Sequence, residues 1–130
     1  FYQRLKDKKQ CFITESRRDF VFVKDLAKVV VKAVDGVGSG AYHFSSGKDV
    51  SVQELYDEVV KALQIKEYPE PEIRPLGPDD VFSILLDPTR TVEDFGTIEF
   101  SPISQTVEEA VEYYKEFGTL GEYTHLRENK

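Results

Sequence analysis

The sequence contains a single cysteine, Cys11, and neither methionine nor tryptophan. One cysteine excludes a disulfide within the chain and is typical of a reducing compartment, so we expect a cytoplasmic protein. We interpret Cys11 as a small apolar residue, half-buried on a short strand, rather than as a nucleophile. Because Met is absent and the chain opens at Phe1 in a helical pattern, we also expect it to be part of a longer protein.

Basic residues are in deficit. The 17 Lys and Arg face 24 Asp and Glu, which gives a formal net charge of −7. This balance leaves no basic surface for nucleic acid or an anionic membrane, so we expect neither as a partner. The sequence also lacks an apolar run long enough to span a bilayer and the pattern of a signal peptide. Any anionic ligand would have to be held by local arginines against the overall charge.

Short apolar runs alternate with helical patterns, which predicts an α/β fold in which short strands alternate with helices. We predict strands at residues 11–13, 18–23, 41–44 and 72–76. We predict helices within residues 1–9, from an N-cap at Asp25 to the glycines after residue 35, behind capping boxes at 51–54 and 106–109, and from Asp87 to Gly96. The helix after Asp25 is apolar around most of its circumference, so we expect it to be well buried.

Two arginines precede the apolar strand in residues 17–27 (RRDFVFVKDLA). Cationic side chains at the end of a strand can hold an anion, and a guanidinium binds phosphate through two parallel hydrogen bonds. The alternative is a structural ion pair of these arginines with Glu15, Asp19 or Asp25. Both interpretations remain open from the residues alone.

The other polar residues predict no catalytic or metal site. His43 and His125 are far apart and, with one cysteine, do not make a zinc site. The Asp79–Asp80 pair lacks the spaced ligands of a calcium loop. Residues 36–40 (GVGSG) follow a helix and precede a strand, whereas a dinucleotide-binding loop has the reverse order. We therefore expect this chain to hold neither a metal nor a cofactor by itself.

Residues 17–27 resemble the R-D-[FY]-[VI]-x-V-x-D-[VL]-A segment of the extended short-chain dehydrogenase/reductases. These are the NAD(P)-dependent nucleotide-sugar epimerases and dehydratases, which have a Rossmann-type fold. Four further segments occur in the family's order: GAYHFSSG at 40–47, SVQELY at 51–56, LDPTR at 86–90 and DFG at 94–96. The chain is therefore similar to the C-terminal, substrate-binding part of such an enzyme.

The resemblance implies a division of the chain. Residues 1–117 would form the C-terminal substrate-binding portion, including the last Rossmann strand and helices, and residues 118–130 a C-terminal tail. The N-terminal NAD-binding domain, with its glycine-rich loop and Tyr-x-x-x-Lys catalytic pair, is absent from this sequence. NAD would be bound there, so the 130-residue chain alone should be inactive. The isolated chain would also expose an apolar face that the missing domain otherwise covers.

The resemblance also implies roles for three residues. Arg18 and Arg74 would bind the diphosphate of the substrate, and Phe12 would pack against its base. Around these residues the chain departs from the family. Residues 13–16 replace a glycine-rich loop, and residues 77–80 replace the tighter R-x-x-D arrangement in which the family's arginine precedes a Gly-Asp pair. The alternatives are core packing for Phe12 and an exposed loop cation for Arg74.

The implied function is to bind a nucleotide sugar, a UDP- or dTDP-sugar, for an NAD-dependent epimerase or dehydratase of bacterial polysaccharide biosynthesis. The resemblance implies that such an isomerase oxidises a sugar hydroxyl transiently and that the parent enzyme is a homodimer. The alternative is a non-enzymatic ligand-binding or interaction module that uses the same half-fold. The sequence does not distinguish epimerase, dehydratase, decarboxylase and reductase.

Overall fold

The structure, a computed structural model, describes residues 1–119 and forms an α/β arrangement of helices and two-residue strands. The helices are α1 (Tyr2–Lys6), α2 (Val23–Val34), α3 (Val52–Leu63), α4 (Thr89–Phe95) and α5 (Ile103–Phe117). The strands are β1 (Phe12–Ile13), β2 (Arg17–Arg18), β3 (Val50–Ser51), β4 (Glu72–Ile73) and β5 (Ser83–Ile84). Within residues 1–119, no helix combines the length and apolar character needed to cross a bilayer. Most of the predicted tail, including His125, lies outside the described residues.

The strands form two small sheets. In the first, β1 pairs with β4 in parallel, and Phe12 is aligned with Glu72. In the second, β2 lies between β3, to which it is antiparallel, and β5, to which it is parallel. The two arginines to which the family resemblance assigns the diphosphate are therefore associated with different sheets. Arg18 belongs to β2 of the second sheet, and Arg74 directly follows β4 of the first.

The main core lies where α1, β1, α3 and α5 meet. Its buried residues are Tyr2, Leu5, Cys11, Ile13, Tyr56, Val59, Val60, Val107 and Val111. Tyr56 is fully buried and packs edge-on against Phe1, with ring centroids 5.3 Å apart. Burial, with a smaller contribution from nearby acidic groups, raises the pKa of Tyr56 to about 12. Cys11, predicted to be half-buried, is 0% exposed, and burial raises the pKa of its thiol.

The start of α3 confirms the first predicted capping box. The backbone N–H of Glu54 donates to Ser51 Oγ at 3.0 Å, and the backbone N–H of Ser51 donates to Glu54 Oε2 at 2.8 Å. These two bonds satisfy donors that the first turn of a helix otherwise leaves unpaired. Behind the box, the predicted apolar stripe faces the core, with Tyr56, Val59 and Val60 buried.

The second predicted capping box, at residues 106–109, is wrong. Helix α5 begins at Ile103 and has Pro102 as its N-cap, so Thr106 lies inside the helix. The hydroxyl of Thr106 donates to the carbonyl oxygen of Pro102 at 3.1 Å. Threonine makes this bond to the preceding turn when it lies within a helix, which removes it from capping.

The prediction of a strand over residues 18–23 followed by an N-cap at Asp25 is also wrong. Only Arg17–Arg18 pairs as a strand, and α2 begins at Val23 with Phe22 as its N-cap. Asp25 lies in the first turn, where its carboxylate accepts hydrogen bonds from the backbone N–H of Ser101 at 2.7 Å and from Lys28 Nζ at 2.8 Å. The Ser101 bond comes from a distant segment, which local spacing does not reveal.

Helix α2 is largely exposed, which corrects the prediction that it is well buried. Its buried residues are Asp25 and Val29, whereas Val31 is 60% exposed and Val34 82% exposed. Residues 1–119 supply neighbours for only part of its apolar circumference. We call the exposed apolar residues the α2 face: Val23, Leu26, Val30, Val31 and Val34. A contiguous exposed apolar surface is typical of sites that another surface covers.

The predicted strand at residues 41–44 does not form. Side chains of α4 bind its carbonyl groups instead: Thr91 Oγ1 donates to the carbonyl of His43 at 2.5 Å, and Arg90 Nη1 donates to that of Ala41 at 3.0 Å. Within residues 1–119 no strand lies beside this segment to complete a ladder. An extended sequence pattern alone does not make a strand without a paired neighbour.

Candidate functional site

The pairing of β1 with β4 brings Phe12 and Arg74 together. The backbone N–H of Arg74 donates to the carbonyl of Ile13 at 2.8 Å, which holds Arg74 beside β1. Its guanidinium carbon Cζ lies 4.1 Å from the centroid of the Phe12 ring. This distance is well within the range of a cation–π contact. Two of the three predicted site residues are thus in direct contact.

Arg74 also forms a two-bond pair with Glu72. Nε donates to Oε1 at 3.0 Å, and Nη2 donates to Oε2 at 2.9 Å. These hydrogen bonds from the guanidinium hold the pKa of Glu72 below its ordinary value. Both side chains are partly exposed, Arg74 at 39% and Glu72 at 51%, so water and salt screen the pair. The guanidinium of Arg74 is therefore held by an aromatic ring and by a carboxylate.

Phe12 also lines a pocket of about 280 Å³, with Phe1, Arg4, Ile13, Thr14 and Val52. Arg4 Cζ lies 6.0 Å from the Phe12 centroid, and Arg4 Nε donates to the carbonyl of Gln10 at 2.8 Å. A mainly apolar pocket with a few polar groups at its edge suits a flat, partly polar ligand group. The sequence interpretation missed Arg4, because its approach to Phe12 depends on how α1 packs against β1 and follows no local spacing.

Arg18 belongs to the second sheet, where it lies in β2. Its Nη1 donates to three carbonyl oxygens: those of Arg17 at 2.7 Å, Val81 at 2.9 Å and Phe82 at 3.3 Å. Arg17 has a different role, because its Nε forms an ion pair with Asp49 at 2.9 Å. The structure thus separates the arginine pair into one structural residue and one that contacts backbone carbonyls.

Asp49 connects the second sheet. It accepts hydrogen bonds from Ser83 Oγ at 2.6 Å and from Arg17 Nε at 2.9 Å. These two bonds, with Ser83 contributing most, hold the pKa of Asp49 below its ordinary value. Because Ser83 follows the carbonyls that Arg18 contacts, Asp49 helps to fix the surroundings of Arg18.

Arg17 does form a structural ion pair, but with Asp49, whereas Asp19 and Asp25, two of the partners suggested from the sequence, bind other groups. Asp19 Oδ2 accepts from Ser45 Oγ at 2.6 Å and from the backbone N–H of Ser46 at 2.8 Å, so it anchors the loop after residue 44. Asp25 is bonded to Ser101 and Lys28. Proximity along the chain is a poor guide here, because neighbouring side chains of this segment point to different surroundings.

Within residues 1–119, no group of three or more His, Cys, Asp and Glu side chains is arranged to hold a metal ion. Asp80 has a structural role: its Oδ2 accepts a hydrogen bond from the backbone N–H of Gly77 at 2.8 Å. This bond closes the turn that follows Arg74, as aspartate side chains commonly do in turns.

The chain is similar to several solved structures. The Bordetella bronchiseptica enzyme WbmH, in complex with NAD+, is 64% identical with a TM-score of 0.86, over 91% of this chain and 39% of that one. The enzyme WbmG of the same organism, in complex with NAD and UDP, is 27% identical with a TM-score of 0.81, over 90% and 38%. A UDP-glucose 4-epimerase from Thermotoga maritima with UDP-glucose, 22% identical with a TM-score of 0.75 over 88% and 38%, shares the fold. No family model matches the chain, and no curated protein matches it.

These similarities confirm both the α/β class and the family predicted from the motifs. The chain belongs to the extended short-chain dehydrogenase/reductases, the family that the motifs predicted. It spans about two fifths of the length of the solved chains that it matches, 39% of WbmH and 38% of WbmG.

Proposed function

We propose that this chain is the nucleotide-sugar-binding part of an NAD-dependent epimerase or dehydratase that acts on a UDP- or dTDP-sugar in bacterial polysaccharide biosynthesis. The contact of Arg74 with Phe12 at 4.1 Å is the observation that carries the proposal, because it combines a cation for phosphate with a ring for a base. The similarity to WbmH with NAD+ and to WbmG with NAD and UDP supports it. No observation on the described residues favours a non-enzymatic module.

In this proposal residues 1–117 are the C-terminal substrate-binding portion, and the NAD-binding domain lies elsewhere in the complete protein. NAD, when bound there, supplies the reversible oxidation of a sugar hydroxyl. The isolated 130-residue chain is then inactive. The α2 face fits this division, because exposed apolar residues on a helix call for a neighbouring surface. The complete enzyme is proposed to be a cytoplasmic homodimer.

Arg18 and Arg74 bind the diphosphate in this proposal, and Phe12 contacts the base. Each guanidinium now donates to other acceptors, which are backbone carbonyls for Arg18 and the Glu72 carboxylate for Arg74. On binding, phosphate oxygens replace these acceptors or accept hydrogen bonds alongside them. Charge-assisted bonds to phosphate are stronger than bonds to neutral carbonyls, which favours the exchange at Arg18. Anchoring the nucleotide in this way positions the sugar without any chemical step by these residues.

We expect Arg18→Ala and Arg74→Ala each to weaken UDP binding about tenfold or more, because each removes charge-assisted bonds to a phosphate. The measurement is calorimetric titration of the purified protein with UDP. The matched control is Arg90→Ala, which also removes an arginine that lies over a ring, Tyr42 at 4.5 Å, and contacts carbonyls. Unchanged UDP affinity in both test variants, with the fold intact by circular dichroism, would contradict the assignment.

The proposal that the NAD-binding domain covers the α2 face in the complete protein can be tested separately. In the complete protein, Val34→Glu should lower the free energy of unfolding by about 2 kcal/mol or more, because it places a charge in an apolar contact. In the 130-residue chain, where Val34 is 82% exposed, the same change should cost less than about 0.5 kcal/mol. Val34→Thr is the shape-matched control, and urea denaturation is the measurement. Equal effects in the two proteins would argue against a covering domain.

A further inference from the structure

We propose that Glu72 competes with a ligand diphosphate for the guanidinium of Arg74. Its carboxylate accepts the hydrogen bonds that the diphosphate would otherwise accept, and this competition sets the affinity for the ligand. The inference rests on the proposed function, because it concerns the same site. It concerns a residue that the motifs do not single out. Glu72 contacts the binding residue, not the reacting sugar, so it determines affinity rather than chemistry.

The geometry of the pair is that of phosphate recognition. Arg74 donates through Nε and Nη2 to the two carboxylate oxygens, at 3.0 and 2.9 Å. A guanidinium presents the same two-bond edge to a carboxylate and to a phosphate. A diphosphate that approaches this edge of Arg74 therefore meets Glu72 already in place.

Strand pairing fixes this arrangement. The backbone N–H of Glu72 donates to the carbonyl of Cys11 at 2.9 Å, and that of Arg74 to the carbonyl of Ile13 at 2.8 Å. Residues two apart on a strand project to the same side, so Glu72 and Arg74 share the side on which the Phe12 ring lies. The register of β1 and β4 therefore places the two side chains together, because the backbones of both residues are hydrogen-bonded to β1 or to the residue before it.

The pair is weak enough to exchange. Its side chains are 39% and 51% exposed, and ion pairs this open to solvent contribute little to stability. The contact with Phe12 at 4.1 Å gives the guanidinium a second support while it changes partners. Hydrogen bonds from Arg74 lower the pKa of Glu72 and so favour its charged form, and this negative charge beside Arg74 also repels an incoming diphosphate.

The test is Glu72→Gln, which keeps the shape of the side chain and removes its charge. Calorimetric titration with UDP at low ionic strength should show binding about threefold to tenfold tighter than in the parent protein. In an Arg74→Ala background the same change should alter affinity by less than about twofold, because the competition is lost with its target. Glu58→Gln is the matched control: Glu58 also carries an exposed ion pair, to Lys61 at 3.5 Å, and its loss should leave UDP affinity unchanged.

Weaker UDP binding in Glu72→Gln would overturn the proposal and would make Glu72 a clamp that positions Arg74. Unchanged binding would overturn it as well. Inorganic pyrophosphate, titrated in parallel, separates this inference from the proposed function. If pyrophosphate binds more tightly to Glu72→Gln in an Arg74-dependent way while UDP binds to neither protein, the competitor role stands and the nucleotide function fails. If neither ligand binds to either protein, both proposals fail.

Discussion

Tyr56→Ala should lower the free energy of unfolding by about 3–5 kcal/mol, the range for removing a large aromatic side chain from a core. Tyr56 is 0% exposed and lies at the centre of the cluster formed by α1, β1, α3 and α5. Its ring packs against Phe1 at 5.3 Å and Tyr68 at 6.1 Å, between centroids. Alanine would leave a cavity that these rings close only in part. Urea denaturation followed by circular dichroism measures the loss.

Tyr56→Phe is the control for this prediction. It keeps the ring and removes only the hydroxyl, which donates to the carbonyl of Pro69 at 3.1 Å. We expect a loss of about 1 kcal/mol, typical of one hydrogen bond. Burial raises the pKa of Tyr56 from its ordinary value of 10.0 to about 12, so the stability that the neutral side chain contributes is fully present below pH 10.0 and is lost as the pH rises through about 12. A Tyr56→Ala loss no larger than that of Tyr56→Phe would contradict the central place of the ring.

Asp25→Ala should cost about 3 kcal/mol, because it removes a buried carboxylate and leaves its partners unsatisfied. The side chain is 1% exposed and accepts hydrogen bonds from the backbone N–H of Ser101 at 2.7 Å and from Lys28. These bonds join the first turn of α2 to the segment that leads into α5. Lys28→Ala is the control: its ammonium group is on the exposed side of the pair, so its removal should cost less than about 1 kcal/mol. Similar losses in the two variants would show that the carboxylate acts only through the ion pair.

The lowered pKa of Asp25 predicts that the protein loses stability in acid. Burial alone would raise the pKa of Asp25, but hydrogen bonds from Lys28 and Ser101 outweigh it and lower the pKa below the ordinary value of 3.8. A lowered pKa in the folded state means that Asp25 stabilises the fold above pH 3.8 and that this contribution is lost as the pH falls below that value. Asp25→Asn should flatten this part of the stability profile, measured by urea denaturation between pH 5 and pH 3. An unchanged acid slope in Asp25→Asn would assign the loss to other carboxylates.

Local spacing predicted the start of α3 correctly, although it failed at Asp25 and at residues 106–109. The capping box of α3 joins Ser51 and Glu54, which lie three residues apart, and the apolar stripe behind it follows the helical period. The family was also predictable, because its motifs are short segments in a fixed order. Within the candidate site, the sequence proposed Phe12 and Arg74 through those motifs, and the structure brings the two into contact.

Features that depend on distant segments were decided only by the tertiary structure. The Asp25 bond to Ser101, the carbonyls that meet Arg18 and the pairing of Arg17 with Asp49 all join residues far apart in the chain. Strand length and helix burial also depend on the tertiary structure, because a strand needs a paired neighbour and an apolar helix face needs a surface to cover it. The sequence by itself therefore determined the family and the start of α3, and it proposed Phe12 and Arg74, which lie in contact. The tertiary structure decided which charges meet, because hydrogen-bond and ion-pair partners follow from packing rather than from spacing along the chain.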